Sequence, residues 1–383
     1  MTARVLVLSA SVGAGHLRAA EAVELALKRV APEIEVQNHD VLDYTNAVFR
    51  GMYGKAYLDL VNRAPHLLGY FYDKFDQPSR SGHNLMDRLR LAVERLNLKR
   101  FETLLTSEHW DLVINTHFLP AELLARLRRD RLLGVPQAIV CTDFYTHRLW
   151  VNQPCERYFC ATQEGATYLE HWGIPAATIH VTGIPIDPVF SDPIDPAACR
   201  VKHGIAGDRP TILQMGGGFG VGPVETIYRG LLELPRGIEL IVVCGRNAEL
   251  KERLEAIERP DRHRVQLVGF TREMHEWMAC ADLIVSKPGG LTTSETLARG
   301  VPMVIVNPIP GQESQNSDYL LEHGAAVKLS HPALINLKVS RLLDNPERLA
   351  RMQSSARALG KPGSALEVAR RSLELIGTAH SPV

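Results

Sequence analysis

Apolar residues along the chain gather in short runs of Val, Ile and Leu, and between the runs they recur every three or four positions. Near-continuous apolar runs mark strands buried on both faces, and the wider spacing is that of the helices covering them. The runs predict strands over residues 4–10, 34–39, 112–116, 137–142, 157–161 and 179–182. A second series follows over 211–215, 239–243, 265–268, 283–285, 303–306 and 326–329. Strands and helices alternating in this way are the signature of stacked βαβ units and parallel sheets. Residues 183–196 (GIPIDPVFSDPIDP) lie between the two series, with prolines at 185, 188, 193 and 196. Each proline holds itself and its predecessor extended, which predicts a semi-rigid connector. The expected fold class is α/β: two Rossmann-like parallel-sheet domains, residues 1–186 and 187–383.

Segment 46–77 breaks the rhythm between the second and third strands. It holds Phe49, Tyr53, Tyr57, Tyr70, Phe71, Tyr72 and Phe75, out of ten Phe, ten Tyr and four Trp in the whole chain. Phe49, Tyr53 and Tyr57 share one helical face, which either packs on the domain or lies in a membrane interface. Arg88, Arg90, Arg95, Lys99 and Arg100 follow, diluted by Asp87, Glu94 and Glu102.

Composition narrows the classes. The 43 Lys and Arg balance 43 Asp and Glu, so no net charge draws the molecule onto nucleic acid, and none is expected as a partner. Hydrophobic residues at 45% and charged residues at 22% exclude a disordered chain. Cys141, Cys155, Cys160, Cys199, Cys244 and Cys280 are scattered without metal-ligand spacing, which points to free thiols in a reducing compartment. No apolar window reaches the roughly 18–20 residues of a membrane span, so the chain is expected in the cytoplasm, with at most a peripheral hold on a membrane.

Candidate chemistry sits at the strand ends. The first strand runs into Gly13, Gly15 and His16 and then a helix, a turn whose backbone N–H groups can face an anion. Arg18 stands where a dinucleotide fingerprint needs its third glycine, although Asp40 at the end of the second strand keeps a nicotinamide cofactor open. His16 at a helix start stays neutral near pH 7 and is a competent general base, or else merely caps the turn. In the second series, Gly216–Gly222 places five glycines in seven residues after a strand, a loop suited to pyrophosphate. Lys287, Gly289, Gly290, Leu291 and Thr292 open another helix. There Thr292 and Glu295 form a capping box, or Glu295 accepts ribose hydroxyls. The loop 307–316 packs Gln312, Glu313, Gln315 and Asn316 together, mixed donors and acceptors suited to a polyol.

The strings SASVGAGH, TDFYTHRLW, GIPIDPVF, MGGGFGVGP, VVCGRN, SKPGGLTTSE and PGQESQN, in this order, resemble those of monogalactosyldiacylglycerol synthases and processive diacylglycerol glucosyltransferases. The similarity covers nearly the whole chain, roughly residues 4–345. It implies a GT-B fold, two Rossmann-like domains facing across a cleft, the first for the diacylglycerol acceptor and the second for a UDP-hexose. It also implies inverting transfer of galactose or glucose, a peripheral site on the inner face of the cell membrane, possible contact with anionic lipids, and no cofactor. By the resemblance His16 is the general base and Glu295 binds ribose. Gln312, Glu313, Gln315 and Asn316 read the sugar, and Gly217, Gly218, Arg246 and Lys287 hold the diphosphate. Phe270 and Met274 pack on uracil. On the acceptor side stand Gly13 and Gly15, with Tyr53, Phe71 and Phe75 of the aromatic insertion meeting lipid, and Asp143 and His147 take an acceptor-side or a structural role. No DxD string is present, so a carboxylate-held metal is not expected. The alternatives are a UDP-GlcNAc transferase acting on a lipid-linked cell-wall intermediate and a non-catalytic nucleotide-sugar-sensing regulator.

Overall fold

The structure is a computed structural model that describes residues 2–11, 14–46, 99–216 and 223–378. The first sheet is built from β1 (Arg4–Ser9), β2 (Glu35–Asp40), β3 (Leu112–Asn115), β4 (Gln137–Val140), β5 (Arg157–Cys160) and β6 (Ile179–Val181). Helices α1 (Ala14–Val30), α2 (Lys99–Ser107), α3 (Phe118–Arg129) and α4 (Gln163–His171) come from the same stretch of chain. After the proline-rich segment come α5 (Pro196–Lys202), β7 (Thr211–Met215), α6 (Val224–Leu232), β8 (Glu239–Val243), α7 (Ala248–Glu255) and β9 (Arg264–Val268). They are followed by α8 (Met274–Cys280), β10 (Leu283–Ser286), α9 (Gly290–Ala298), β11 (Met303–Ile305), α10 (Gln312–Glu322) and β12 (Ala326–Lys328). Three helices end the chain: α11 (Ile335–Leu343), α12 (Pro346–Leu359) and α13 (Ser364–Thr378).

Both sheets are wholly parallel, in the orders β2-β1-β3-β4-β5-β6 and β12-β11-β10-β7-β8-β9. The apolar runs become strands because both faces are covered. Along β1, Val5 and Val7 pack with Val23, Leu27, Val368 and Ala369, whereas Leu6 and Leu8 pack with Leu42, Phe101, Leu105 and Leu124. In the second sheet Ile212, Leu240, Val285 and Val304 form one core with Tyr228, Leu231, Ile335 and Val339. Helix α9 stops where the sequence predicts. Gly300 takes φ +66°, the left-handed conformation that glycine adopts without strain, and Val301 N–H closes on the Thr296 carbonyl.

The chain forms two compact units, 1–188 with 310–312 and 363–383, and 189–309 with 313–362. The expected division into 1–186 and 187–383 therefore needs correction at the C-terminal end, because α13 belongs to the first unit. Its fully buried Val368 and Ala369 face α1 across the first core, and Ser364 Oγ donates to the Ile184 carbonyl at 2.9 Å. An amphipathic helix must bury its apolar stripe on some sheet, and nothing local to its own sequence says which.

Leu375 of α13 is 7% exposed in this core. Leu375→Ala is expected to destabilise the first unit by about 2–5 kcal/mol, read as a lower urea midpoint for that unit's transition.

Candidate active site

In the first sheet β1 stands between β2 and β3, so chain order reverses there. Open parallel sheets bind ligands at the strands' carboxyl ends beside such a reversal. Helix α1 begins soon after β1 and carries Gly15 and His16 in its first turn. β3 leads into Thr116, His117 and Phe118, and β4 leads into Thr142 and Asp143. His16 Nδ1 lies 3.1 Å from the Thr116 carbonyl oxygen and 2.7 Å from Thr142 Oγ1. The Thr116 hydroxyl contacts the carbonyls of Leu8 (3.2 Å) and His16 (3.1 Å), which joins the ends of β1 and β3 to the start of α1. His117 meets His16 edge-on, with ring centroids 4.6 Å apart, and its Nδ1 accepts the Leu119 N–H at 3.0 Å as the cap of α3.

Asp143 and His147 join the same cluster. Asp143 Oδ2 accepts the Trp150 Nε1–H at 2.8 Å and lies 3.3 Å from His147 Nε2. Phe118 packs edge-on against Trp150 and His147 at centroid distances of 5.8 and 5.6 Å. Burial lowers the His16 pKa below its ordinary 6.5, with His147 adding to the effect. The Asp143 charge and the bond to the Thr116 carbonyl oppose it. His117 is taken well below the same value by burial and by its two histidine neighbours. Both imidazoles are neutral at pH 7. The expected cause was the helix start, but the larger one is desolvation.

One carboxylate oxygen of Asp40 is engaged by backbone N–H groups: Oδ1 accepts those of Leu42 (2.9 Å) and Ser11 (3.2 Å), and so ties the strand end to the loop before α1.

The second unit repeats the device at the carboxyl edge of β7 to β11. Arg246, after β8, lays its guanidinium 4.9 Å from the centroid of Phe270, which follows β9 and is 58% exposed. Such cation–aromatic pairs leave a flat face open to a further planar ring. Met274 opens α8 and is half-buried. After β10, Lys287 Nζ lies 3.8 Å from Glu313 Oε1, while Glu313 Oε2 accepts the Ile309 N–H at 2.8 Å. Burial raises the Glu313 pKa against the pull of Lys287 and of that N–H. Asn316 is buried and donates to the Pro288 carbonyl at 2.9 Å, joining α10 to the loop before α9. A Cβ on Gly289 would come within 3.9 Å of Glu313 Oε1, so these loops lie together.

Two expectations change here. Gly289 is the cap of α9, with Gly290, Leu291 and Thr292 as its first three residues. Thr292 is therefore inside the helix, and the capping box with Glu295 does not form. Glu295 lies mid-helix and is 1% exposed. The polar group expected in a strand-end loop is also helical. The loop ends at Gly311 (φ +97°), and Gln312, Glu313, exposed Gln315 and Asn316 fall on the first turns of α10.

Gly13, Tyr53, Phe71, Phe75, Gly217 and Gly218 lie outside the described residues. No sequence signal marked chemistry at Thr116, His117 and Thr142, although Thr116 and Thr142 close predicted strands and His117 follows the first of them. Among the described residues, His203, Glu273 and Glu276 are spaced as metal ligands, but Lys202 Nζ sits 2.9 and 2.8 Å from the two carboxylates and supplies the cation itself.

Residues 16–186 match the family model for monogalactosyldiacylglycerol (MGDG) synthase, and residues 225–367 match that for the glycosyltransferase family 28 C-terminal domain. Processive diacylglycerol beta-glucosyltransferase of Staphylococcus epidermidis is 30% identical over 382 residues, covering 99% of this chain and 94% of that protein. The Staphylococcus aureus protein of the same name is 28% identical with the same coverage. In fold, the chain resembles Acinetobacter baumannii MurG (TM-score 0.59, 19% identity, 97% of this chain and 99% of that one). It also resembles Anabaena HepE in complex with UDP-glucose (TM-score 0.54, 15% identity, 98% and 99%). With two Rossmann-like parallel sheets of the GT-B class and full-length similarity to these glycolipid enzymes, the chain belongs to the monogalactosyldiacylglycerol synthase and processive diacylglycerol glucosyltransferase family.

Proposed function

We propose that this protein transfers glucose from UDP-glucose to the free hydroxyl of 1,2-diacylglycerol, with inversion to a β-glycoside and His16 as general base. The observation that carries the reading is a neutral imidazole at the switch point of the first sheet, engaged through Nδ1 and set among Phe118, Trp150 and His117. An alcohol must shed its proton as it attacks, and a neutral histidine takes it at physiological pH. The names of the full-length relatives favour glucose. The description of the family model over residues 16–186 favours galactose as the second reading.

In the second unit the donor lies along the sheet edge, with Phe270 and Arg246 beside the base. Lys287 and the N-terminus of α9 face the diphosphate, and the start of α10 faces the sugar. Those strand ends, β9 to β11, span roughly four spacings of about 4.8 Å, the length of an extended nucleotide sugar. UDP departs with growing negative charge, which the N–H groups opening α9 and the two cations stabilise. The family resemblance assigns Glu295 to the ribose and Gly217 and Gly218 to the phosphates. The lipid acceptor is reached at a membrane surface on the cytoplasmic face, through the insertion carrying Tyr53, Phe71 and Phe75. Among the described residues no helix is long and apolar enough to cross a membrane.

Diacylglycerol vesicles incubated with UDP-glucose or UDP-galactose are expected to yield glucosyldiacylglycerol in excess. Absence of any glycolipid product would overturn the reading. His16→Ala is expected to cut kcat by about 10²–10⁴ with UDP affinity unchanged.

The lowered pKa of His16 sets the pH dependence. Activity is expected to be full at pH 7, with the acid limb of kcat/KM falling below the ordinary imidazole value of 6.5. His16 and His117 are neutral in the fold but bind protons once exposed, so the unfolded chain holds more protons below about pH 6.5. The urea midpoint is therefore expected to decline as pH drops from 7 to 5.

Glu295→Gln tests the ribose contact. A hydrogen bond from a ribose hydroxyl contributes about 0.5–1.5 kcal/mol net, so donor KM should rise several-fold, while acceptor KM is unchanged.

A further inference from the structure

An imidazole free in water prefers to carry its single proton on Nε2. A histidine that must abstract a proton through Nε2 therefore needs its other nitrogen engaged by an acceptor. His16 Nδ1 faces two oxygens: the Thr116 carbonyl at 3.1 Å and Thr142 Oγ1 at 2.7 Å. A carbonyl oxygen can only accept, so Nδ1 must donate to it, and the Thr142 hydroxyl, which can also accept, shares the same N–H. We propose that Thr142 is a positioning residue for His16: with the Thr116 carbonyl it keeps the imidazole proton on Nδ1 and presents the Nε2 lone pair to the acceptor hydroxyl. The inference rests on His16 being the general base.

The surroundings hold this clamp in place. Thr142 is 6% exposed at the end of β4, and Thr116 is fully buried at the end of β3, so neighbouring parallel strands deliver both oxygens. The Thr116 hydroxyl fastens its own backbone to Leu8 and to the start of α1, which fixes the carbonyl that His16 meets. The nearby carboxylate, Asp143, is turned onto Trp150 Nε1 at 2.8 Å and stands 3.3 Å from His147 Nε2. The partners at Nδ1 are thus neutral, which orients the ring without the strong rise in basicity that a directly bonded carboxylate brings.

The test uses the full-length protein labelled with ¹⁵N-histidine, reading the His16 tautomer from its nitrogen shifts and two-bond couplings at pH 7.5. His16→Ala identifies the signal. Wild type is expected to show protonated Nδ1 and unprotonated Nε2. Thr142→Ser should keep that pattern, and Thr142→Val should shift His16 toward a mixture that includes protonated Nε2. With diacylglycerol and UDP-glucose, Thr142→Val should lower kcat about 10–100-fold with donor KM unchanged, and Thr142→Ser should restore kcat to within about threefold. Protonated Nε2 in the wild type would overturn the proposal, as would a Thr142→Val variant with unchanged tautomer and kcat. Should neither sugar donor turn over while Thr142→Val still moves the tautomer, the proposed reaction fails and the clamp stands. The wild-type spectrum decides the tautomer even if Thr142→Val does not fold.

Discussion

Every strand in both sheets runs parallel to its neighbours, and the arrangement of chemistry follows from that one constraint. A parallel strand cannot return by a hairpin, so a helix carries the chain back. Each strand then ends at the edge where the next helix begins. Strand ends bring ordered backbone with little slack, and helix starts bring unpaired N–H groups and a positive partial charge. Gly15 and His16 on the first unit, and Gly289 to Thr292 on the second, occupy equivalent places for this reason. The two units use the edge differently. The first fills it with imidazoles and aromatic rings, whereas the second lines it with glycine, a guanidinium, an ammonium and amides.

On the first unit, burial does the electrostatic work. His16 and His117 lie in ring contact, so charging both would place like charges 4.6 Å apart, with His147 a further charge-sensitive neighbour of each. That mutual exclusion, added to desolvation, keeps His16 and His117 neutral even with Asp143 nearby. The Asp143 charge opposes the fall of the His16 pKa through space, while its Oδ2 accepts the Trp150 N–H.

Much of this was legible in the chain. The apolar runs gave strands within a residue or two of their final limits, because a strand buried on both faces has no polar alternation to confuse it. What the runs could not convey was long-range choice. Helix α13 has an ordinary amphipathic pattern, and only the packing of Val368 and Ala369 shows that it returns to the first sheet. Local register was the other failure. Thr292 and Glu295 have the spacing of a capping box, but Gly289 takes the extended cap conformation (φ −63°, ψ 145°) and starts α9 before Thr292 is reached. Glu295 is thereby released from capping and buried among α9's inward residues. The roles of Thr116 and Thr142 were hidden for a different reason. They act on His16 from 100 and 126 residues away, and a threonine at a strand end carries no signal of what it will meet.

The second unit poses the reverse electrostatic problem on the proposed reading, since a site that takes a diphosphate must not repel it. Glu313 sits among the groups that face the α9 N-terminus, and a bare carboxylate there would oppose an incoming anion. Three features reduce that opposition. One oxygen is spent on the Ile309 N–H, Lys287 stands near the other, and burial raises the pKa so that ionisation is less favoured. Asn307 (φ +42°) and Gly311 (φ +97°), both left-handed, fold the segment between them so that Ile309 N–H can reach back to the first turn of α10. The acid thus serves first as a fastener for its own loop. Lys287 Nζ, at 3.8 Å, pairs with the other oxygen by charge without a hydrogen bond.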